Sequence, residues 1–202
     1  MNARKTAQEF VLVHADESCL GNGREGDNPG GAGALTEIRT RDGIVRRDVY
    51  ISSPSTTNNR MALAGAIATF ALLSGKGNRF RVAYVSDSEY LVKVMTEWVP
   101  AWSRRGWTRK GGKIENLELW QKLVQAVDGH TVTWRWVRGH AGHPKNEYAD
   151  EIATSAAKEQ VHSQGAVPSH FEEWVAARRD RFSDYDPDVD FDETEIQLAD
   201  GT

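Results

Sequence analysis

Apolar and polar positions alternate in a way that divides the chain into two unequal parts. Residues 10–15, FVLVHA, form a β-branched apolar run that stops at Asp16 and the turn-rich SCLGNGREGDNPGG. GAGALTEIRT (31–40) and RDVYISS (47–53) flank the Arg41-Asp42-Gly43 turn, so three antiparallel strands are expected in sequence. Residues 58–75 are rich in Ala and Leu and predict a helix, with Thr57 as N-cap and Gly75 as C-cap. RVAYVSD (81–87) reads as a central strand buried on both faces. Residues 96–116 are aromatic and basic and are broken by Pro100 and three glycines. Leu119, Leu123 and Val127 keep helical spacing, TVTWRWV (131–137) alternates as a strand, and Pro144 suits the first turn of a last helix. The expected class is α/β: a mixed five-stranded sheet, three antiparallel strands then two parallel ones, flanked by helices.

Beyond about residue 160 the pattern changes. SQGAVPS reads as a linker, HFEEWVAARRDRF as a short helix with Phe171, Trp174 and Val175 on one side, and DYDPDVDFDETE as an acidic tract with too little apolar surface to fold. The expectation is a domain over 1–160 and an extension over 161–202 ending in a disordered acidic tail. That tail matters to the charge balance. The net charge is −4, yet residues 184–202 carry eight acids and no base, leaving 21 acids against 25 bases in the rest. A basic body with an acidic end keeps a polyanionic partner in play. One use of the tail would be to fold back on the basic 96–116 segment and compete with nucleic acid.

Composition narrows the class further. At 202 residues, 39% hydrophobic and 27% charged, the chain suits a globular protein and not a collagen-like or wholly disordered one. No apolar run is long enough for a membrane span, and the opening residues lack a signal-peptide core, so a cytoplasmic monomer without membrane contact is expected. Cys19 is alone, which excludes an internal disulfide and a cysteine zinc cluster.

Three aspartates carry the candidate chemistry. Asp16 and Asp87 each end an apolar strand, and Asp150 lies in the last helix after the loop GHAGHP. Ligands of open sheets bind at the carboxyl ends of strands. Converging carboxylates there favour Mg²⁺ or Mn²⁺ over zinc.

The local sequences make the case more specific. Asp16-Glu17-Ser18, Thr56-Thr57-Asn58-Asn59-Arg60-Met61, Ser86-Asp87-Ser88, Trp136-Val137-Arg138-Gly139-His140-Ala141-Gly142-His143-Pro144, and then Glu147 and Asp150, resemble bacterial type 1 ribonuclease H in order and spacing over about residues 9–158. The resemblance implies the ribonuclease H-like fold and cleavage of the RNA strand of RNA–DNA hybrids with two divalent ions, Mg²⁺ or alternatively Mn²⁺, giving 5′-phosphate and 3′-hydroxyl ends. It gives metal-binding roles to Asp16, Asp87 and Asp150 and a proton-shuttling role to His140. It places Asn22 and Thr57 in a pocket for a DNA phosphate, and Asn58, Asn59 and the position of Glu89 against RNA 2′-hydroxyls. The basic protrusion of that family is matched by Trp98, Arg104, Arg105 and Trp107, continued here by Arg109, Lys110 and Lys113.

Departures from the family pattern set a second expectation. Ala62 stands where the family carries a metal-binding Glu, Glu17 replaces a Gly, and Glu89 replaces a Gln. Adjacent strand residues point to opposite sheet faces, so Glu17 is expected to face away from Asp16 and not to substitute. The resulting expectation is an impaired enzyme, losing at least about a hundredfold in rate, about 2.7 kcal/mol. Ala62→Glu would restore turnover. A catalytically silent hybrid-binding module is the alternative.

Overall fold

The structure, a computed structural model, describes residues 8–21 and 28–200. The long strands come first: β1 (Phe10–Cys19), β2 (Gly30–Thr40) and β3 (Gly43–Ser53), followed by α1 (Asn58–Leu73) and β4 (Arg81–Ser86). A nearly continuous helical stretch follows, α2 (Glu89–Lys93), a π-helical turn (Val94–Trp98) and α3 (Val99–Arg104), and then α4 (Leu117–Ala126), β5 (Thr131–Trp136) and α5 (Pro144–Glu159). The chain ends in β6 (Val167–Pro168), α6 (Phe171–Ala176) and α7 (Pro187–Asp200). The sheet order is β5-β4-β1-β2-β3-β6. β1 to β3 pair antiparallel, while β4 lies parallel to both β1 and β5, as the strand patterns imply.

Side-chain alternation on β1 assigns the two faces. Val11, Val13 and Ala15 share one core with Ala62, Leu63 and Phe70 of α1 and Trp120 of α4. Leu12 turns to the opposite face, where α5 and the extension lie. α5 approaches β2 closely because both surfaces are stripped of bulk. A Cβ on Gly31 would overlap the carbonyl oxygen of Ala153, and one on Gly33 would sit 2.7 Å from that of Ala149.

Two sequence expectations are corrected by the fold. The sheet has six strands, because Val167 and Pro168 add a short edge to β3 beside Asp48 and Arg47. The acidic tail is a helix, not a disordered end. Its Phe191 is fully buried against Phe10, Leu12, Ala83 and Val85, and α6 contributes Phe171, Trp174 and Val175 to a second cluster with Leu35 and Tyr148. The alternation of acids in the tract hid its apolar anchors, Phe191 and, against Phe171 and Phe182, Tyr185. Among the described residues its ion pairs go to Arg39, Arg46, Arg81, His143 and Lys145, none of them in the basic protrusion. Those cations belong to the sheet and to the start of α5, so the tail closes the face that α5 leaves open.

Candidate active site

β1 outruns its parallel partner. The β1–β4 pairing ends at Ala15 and Ser86, so Asp16 and Asp87 emerge side by side just past it. Asp16 is 7% exposed and on the α5 face; its Oδ1 accepts from the Glu17 amide (2.6 Å) and its Oδ2 from Asn146 Nδ2 (3.1 Å). Asn146 precedes Asp150 by one helical turn, so α5 presents both from one side.

Glu17 is not turned away from the site. Oxygen atoms of Asp16, Glu17 and Asp87 lie within 4.8 Å of one another. Glu17 does follow Ala15 on the α1 face. Asp87, however, stands at a strand end, just past the last β1–β4 pair, where it is reachable from both faces. Glu17 reaches Asp87 from the same face as Ala62, and Ser88 hydrogen-bonds its carboxylate. Ala62 is itself 5% exposed and packed in the α1 core, where it offers the site no oxygen.

Crowding these acids without cations is costly. Burial first, then the charges of Asp87, Glu17 and Asp150, push the Asp16 carboxyl up to about 9. Burial and the Asp87 charge push Glu17 up to about 8. Asp87 is also raised, chiefly by burial, against an opposing hydrogen bond from Asp16. Among the described residues no Lys or Arg pairs with this trio. Hard oxygen donors with no cationic partner suit a hard divalent ion.

Asp150 is half-buried, its charge acts on both Asp16 and Asp87, and its Oδ2 lies 3.9 Å from Nδ1 of the exposed His140. His140 sits on the β5–α5 loop with φ of 52°. That loop presses on the carboxylates, since a Cβ on Gly139 would overlap Asp87 Oδ2. Trp136 Nε1 donates to the Asp87 carbonyl oxygen (3.0 Å) and fixes the strand end from β5. Beside Asp150 an open cleft of about 550 Å³ is lined by His140, Glu147, Arg178 and Arg181. The sequence reading set Glu17 aside, named Trp136 only as part of the family motif and gave it no role, and missed Asn146. Only Asn146 had a usable signal, its spacing of four from Asp150.

The other candidates are distributed along one side. Thr57 caps α1, accepting from the Arg60 amide, and Asn58 and Asn59 follow half-buried. Glu89 is exposed at the start of α2. Arg104, Arg105, Arg109, Lys110 and Lys113 are all exposed, as is Trp98, while Trp107 is half-buried and Trp102 belongs to the core. Asn22 lies outside the described residues.

The ribonuclease H family model matches residues 8–158. The chain belongs to the ribonuclease H family. It is 41% identical over 154 residues to a ribonuclease H of Methylococcus capsulatus, covering 76% of this chain and 92% of that protein. A ribonuclease H of Stutzerimonas stutzeri is 40% identical over 73% of this chain and 91% of its own length. Among solved structures, LC9-RNase H1, described as a type 1 RNase H with the type 2 active-site motif, is 59% identical with a TM-score of 0.79, covering 85% of this chain and 82% of that one. Residues 159–202 lie beyond the family match, so α6 and α7 are additions to its shared body. Among the described residues no helix is long and apolar enough to cross a membrane.

Proposed function

We propose that this ribonuclease H is a working, metal-dependent endonuclease for the RNA strand of RNA–DNA hybrids, with Glu17 serving where the family uses a carboxylate on α1. The observation that carries this is the meeting of Asp16, Glu17 and Asp87 within 4.8 Å, with Glu17 entering from the face on which Ala62 lies. It replaces the expectation of an enzyme one carboxylate short. The description of the 59% identical relative, a type 1 protein with a type 2 active-site motif, supports a departure of this kind.

Asp16, Glu17, Asp87 and Asp150 would hold two divalent ions, Mg²⁺ in the first instance. When bound, these ions supply activation of the attacking water and charge stabilisation at the scissile phosphate. The rest falls to the chain. Asn146 and the Glu17 amide fix the two oxygens of Asp16. Trp136 and the bare Gly139 hold Asp87 in register with it. His140, exposed and beside Asp150, is placed to relay a proton between solvent and the reacting phosphate. Asn58 and Asn59 can both donate to and accept from 2′-hydroxyls, which distinguish RNA from DNA. Thr57, Asn22 and the exposed cations of the protrusion would grip the DNA strand by its phosphates.

The test is cleavage of RNA–DNA hybrid, duplex DNA and duplex RNA with Mg²⁺ or Mn²⁺. The unmodified protein should cut only the hybrid. Glu17→Gln should lose at least about a hundredfold, beyond the 10–100-fold typical of residues one step removed from a metal. Ala62→Glu should gain little. An inert protein that Ala62→Glu brings to life would restore the impaired-enzyme reading.

A further inference from the structure

We propose that Asp190 of the C-terminal helix is a positioning residue for the active site, a role resting on the function proposed above. The contact path is short and centres on a buried lysine. Lys145, at the start of α5, has no exposed surface, and its Nζ lies between Glu37 Oε2 (2.8 Å) and Asp190 Oδ2 (2.6 Å). It also donates to the Pro187 carbonyl (3.3 Å). The second Asp190 oxygen lies 3.7 Å from His143 Nε2, and His143 stacks on His14 with ring centroids 4.9 Å apart. His14 is two residues before Asp16 on the same face of β1. Lys145 is followed directly by Asn146, whose side chain holds Asp16.

Asp190 thus reaches both arms of the site without touching any carboxylate in it: the first turn of α5 directly through Lys145, and β1 through His143 stacked on His14. The local charge count explains why a tail acid is needed. Glu37 is shared between two buried cations; Arg46 also has Glu172 and Asp188, whereas among the described residues the only other carboxylate paired with Lys145 is Asp190. A buried cation without its counterion is expelled or pulls its backbone toward water. For Lys145 that backbone is the turn carrying Asn146. Neighbouring Phe191, fully buried, fixes where Asp190 enters. The family's shared body ends at residue 158, so this brace is supplied by the added segment.

The experiment compares full-length Asp190→Ala, Asp190→Glu and Asp192→Ala. Asp192 sits on the same helix but pairs with Arg39, at the far end of β2, and serves as the control. Four readouts are taken: kcat and KM on hybrid, Mg²⁺ half-saturation, calorimetric Mn²⁺ affinity without substrate, and melting temperature. Asp190→Ala should lower kcat about tenfold with KM unchanged and weaken Mn²⁺ binding by a similar factor, the low end for residues that orient metal ligands. Asp190→Glu should recover most of both losses, and Asp192→Ala should change neither, whatever its melting temperature. If Asp190→Ala does not fold, the isosteric Asp190→Asn carries the same readouts. Native kcat and Mn²⁺ affinity in Asp190→Ala or Asp190→Asn, or equal losses in Asp192→Ala, would overturn the inference. If the unmodified protein does not cleave hybrid, the function proposal fails, and Mn²⁺ affinity alone still decides this one.

Discussion

Replacing Glu17 by Gln should stabilise the metal-free protein and do so increasingly with pH. Two unit charges 4.8 Å apart repel by about 3.5 kcal/mol at an effective dielectric of about 20, and 4.8 Å is the outer limit of the Asp16–Glu17–Asp87 cluster. The protein avoids that repulsion by keeping protons. Asp16 titrates at about 9 and Glu17 at about 8, against roughly 4 for free carboxyls. Because the folded state binds more protons than the unfolded one between those limits, stability falls as pH rises through the window. It is greatest below about pH 4 on this account and is lost by about pH 9. Gln removes one member and one proton equilibrium, so the slope should flatten. With 2–4 °C per kcal/mol for a chain this size, the melting-temperature advantage of Glu17→Gln should grow toward roughly 10 °C between pH 6 and pH 9.5. The assay is thermal unfolding in chelator across that range, for both proteins. Saturating Mg²⁺ should cancel the advantage, since bound cations neutralise the cluster. A Glu17→Gln protein that is less stable than its parent in chelator, or whose advantage ignores pH, would refute the clustering argument.

Gly139→Ala should leave the fold intact while lowering kcat at least about tenfold, because its Cβ must displace Asp87 Oδ2; circular dichroism and hybrid turnover separate the two effects. Phe191→Ala should cost about 3–5 kcal/mol in urea unfolding, as for other fully buried aromatics, whereas a disordered tail would give no change. Lys145→Ala should cost about 3–5 kcal/mol in the same measurement, because Glu37 and Asp190 would lose a buried counterion. Hybrid affinity should drop steeply between 50 and 200 mM salt, and the combined Arg104→Ala, Arg105→Ala and Lys113→Ala changes should flatten that dependence by about 0.9 for each phosphate no longer neutralised.

Much of this was legible from residue order. The strand run ending at Asp16, the both-faces-apolar run ending at Asp87 and the Pro144 helix start forecast the mixed sheet and its parallel centre, and the structure places them so. The extension was misread because its stability is non-local. Acids spaced every second residue look solvated until Arg39, Arg46, Arg81 and Lys145 are seen to converge on them from separate elements. No window of sequence contains both sides of those pairs. Asn146 could have been found from its helical spacing to Asp150, but Trp136 could not. Its indole is half exposed, and only the fold shows it anchored to the Asp87 carbonyl.

Glu17 reaches the site even though side chains alternate along β1. Side chains at 16 and 17 do leave opposite faces of β1. A sheet separates its faces only where strands lie on both sides of a residue, and β4 stops pairing at Ser86. Past that point the backbone turns into α2, and Asp87 is reachable from above and below. An added metal ligand at this strand end therefore has two geometrically equivalent sources on the α1 face, a side chain from α1 itself or the long side chain one residue beyond Asp16. Ala62 shows the first source vacant, filled instead by core packing with Ala15 and Leu63. The same reasoning limits what could substitute: Asp at 17 would be one methylene short of Asp87, so Glu17→Asp should weaken Mn²⁺ binding almost as much as Glu17→Gln. Calorimetric titration of the two variants decides it, and native affinity in Glu17→Asp would mean that charge at position 17, not reach, is what the site uses.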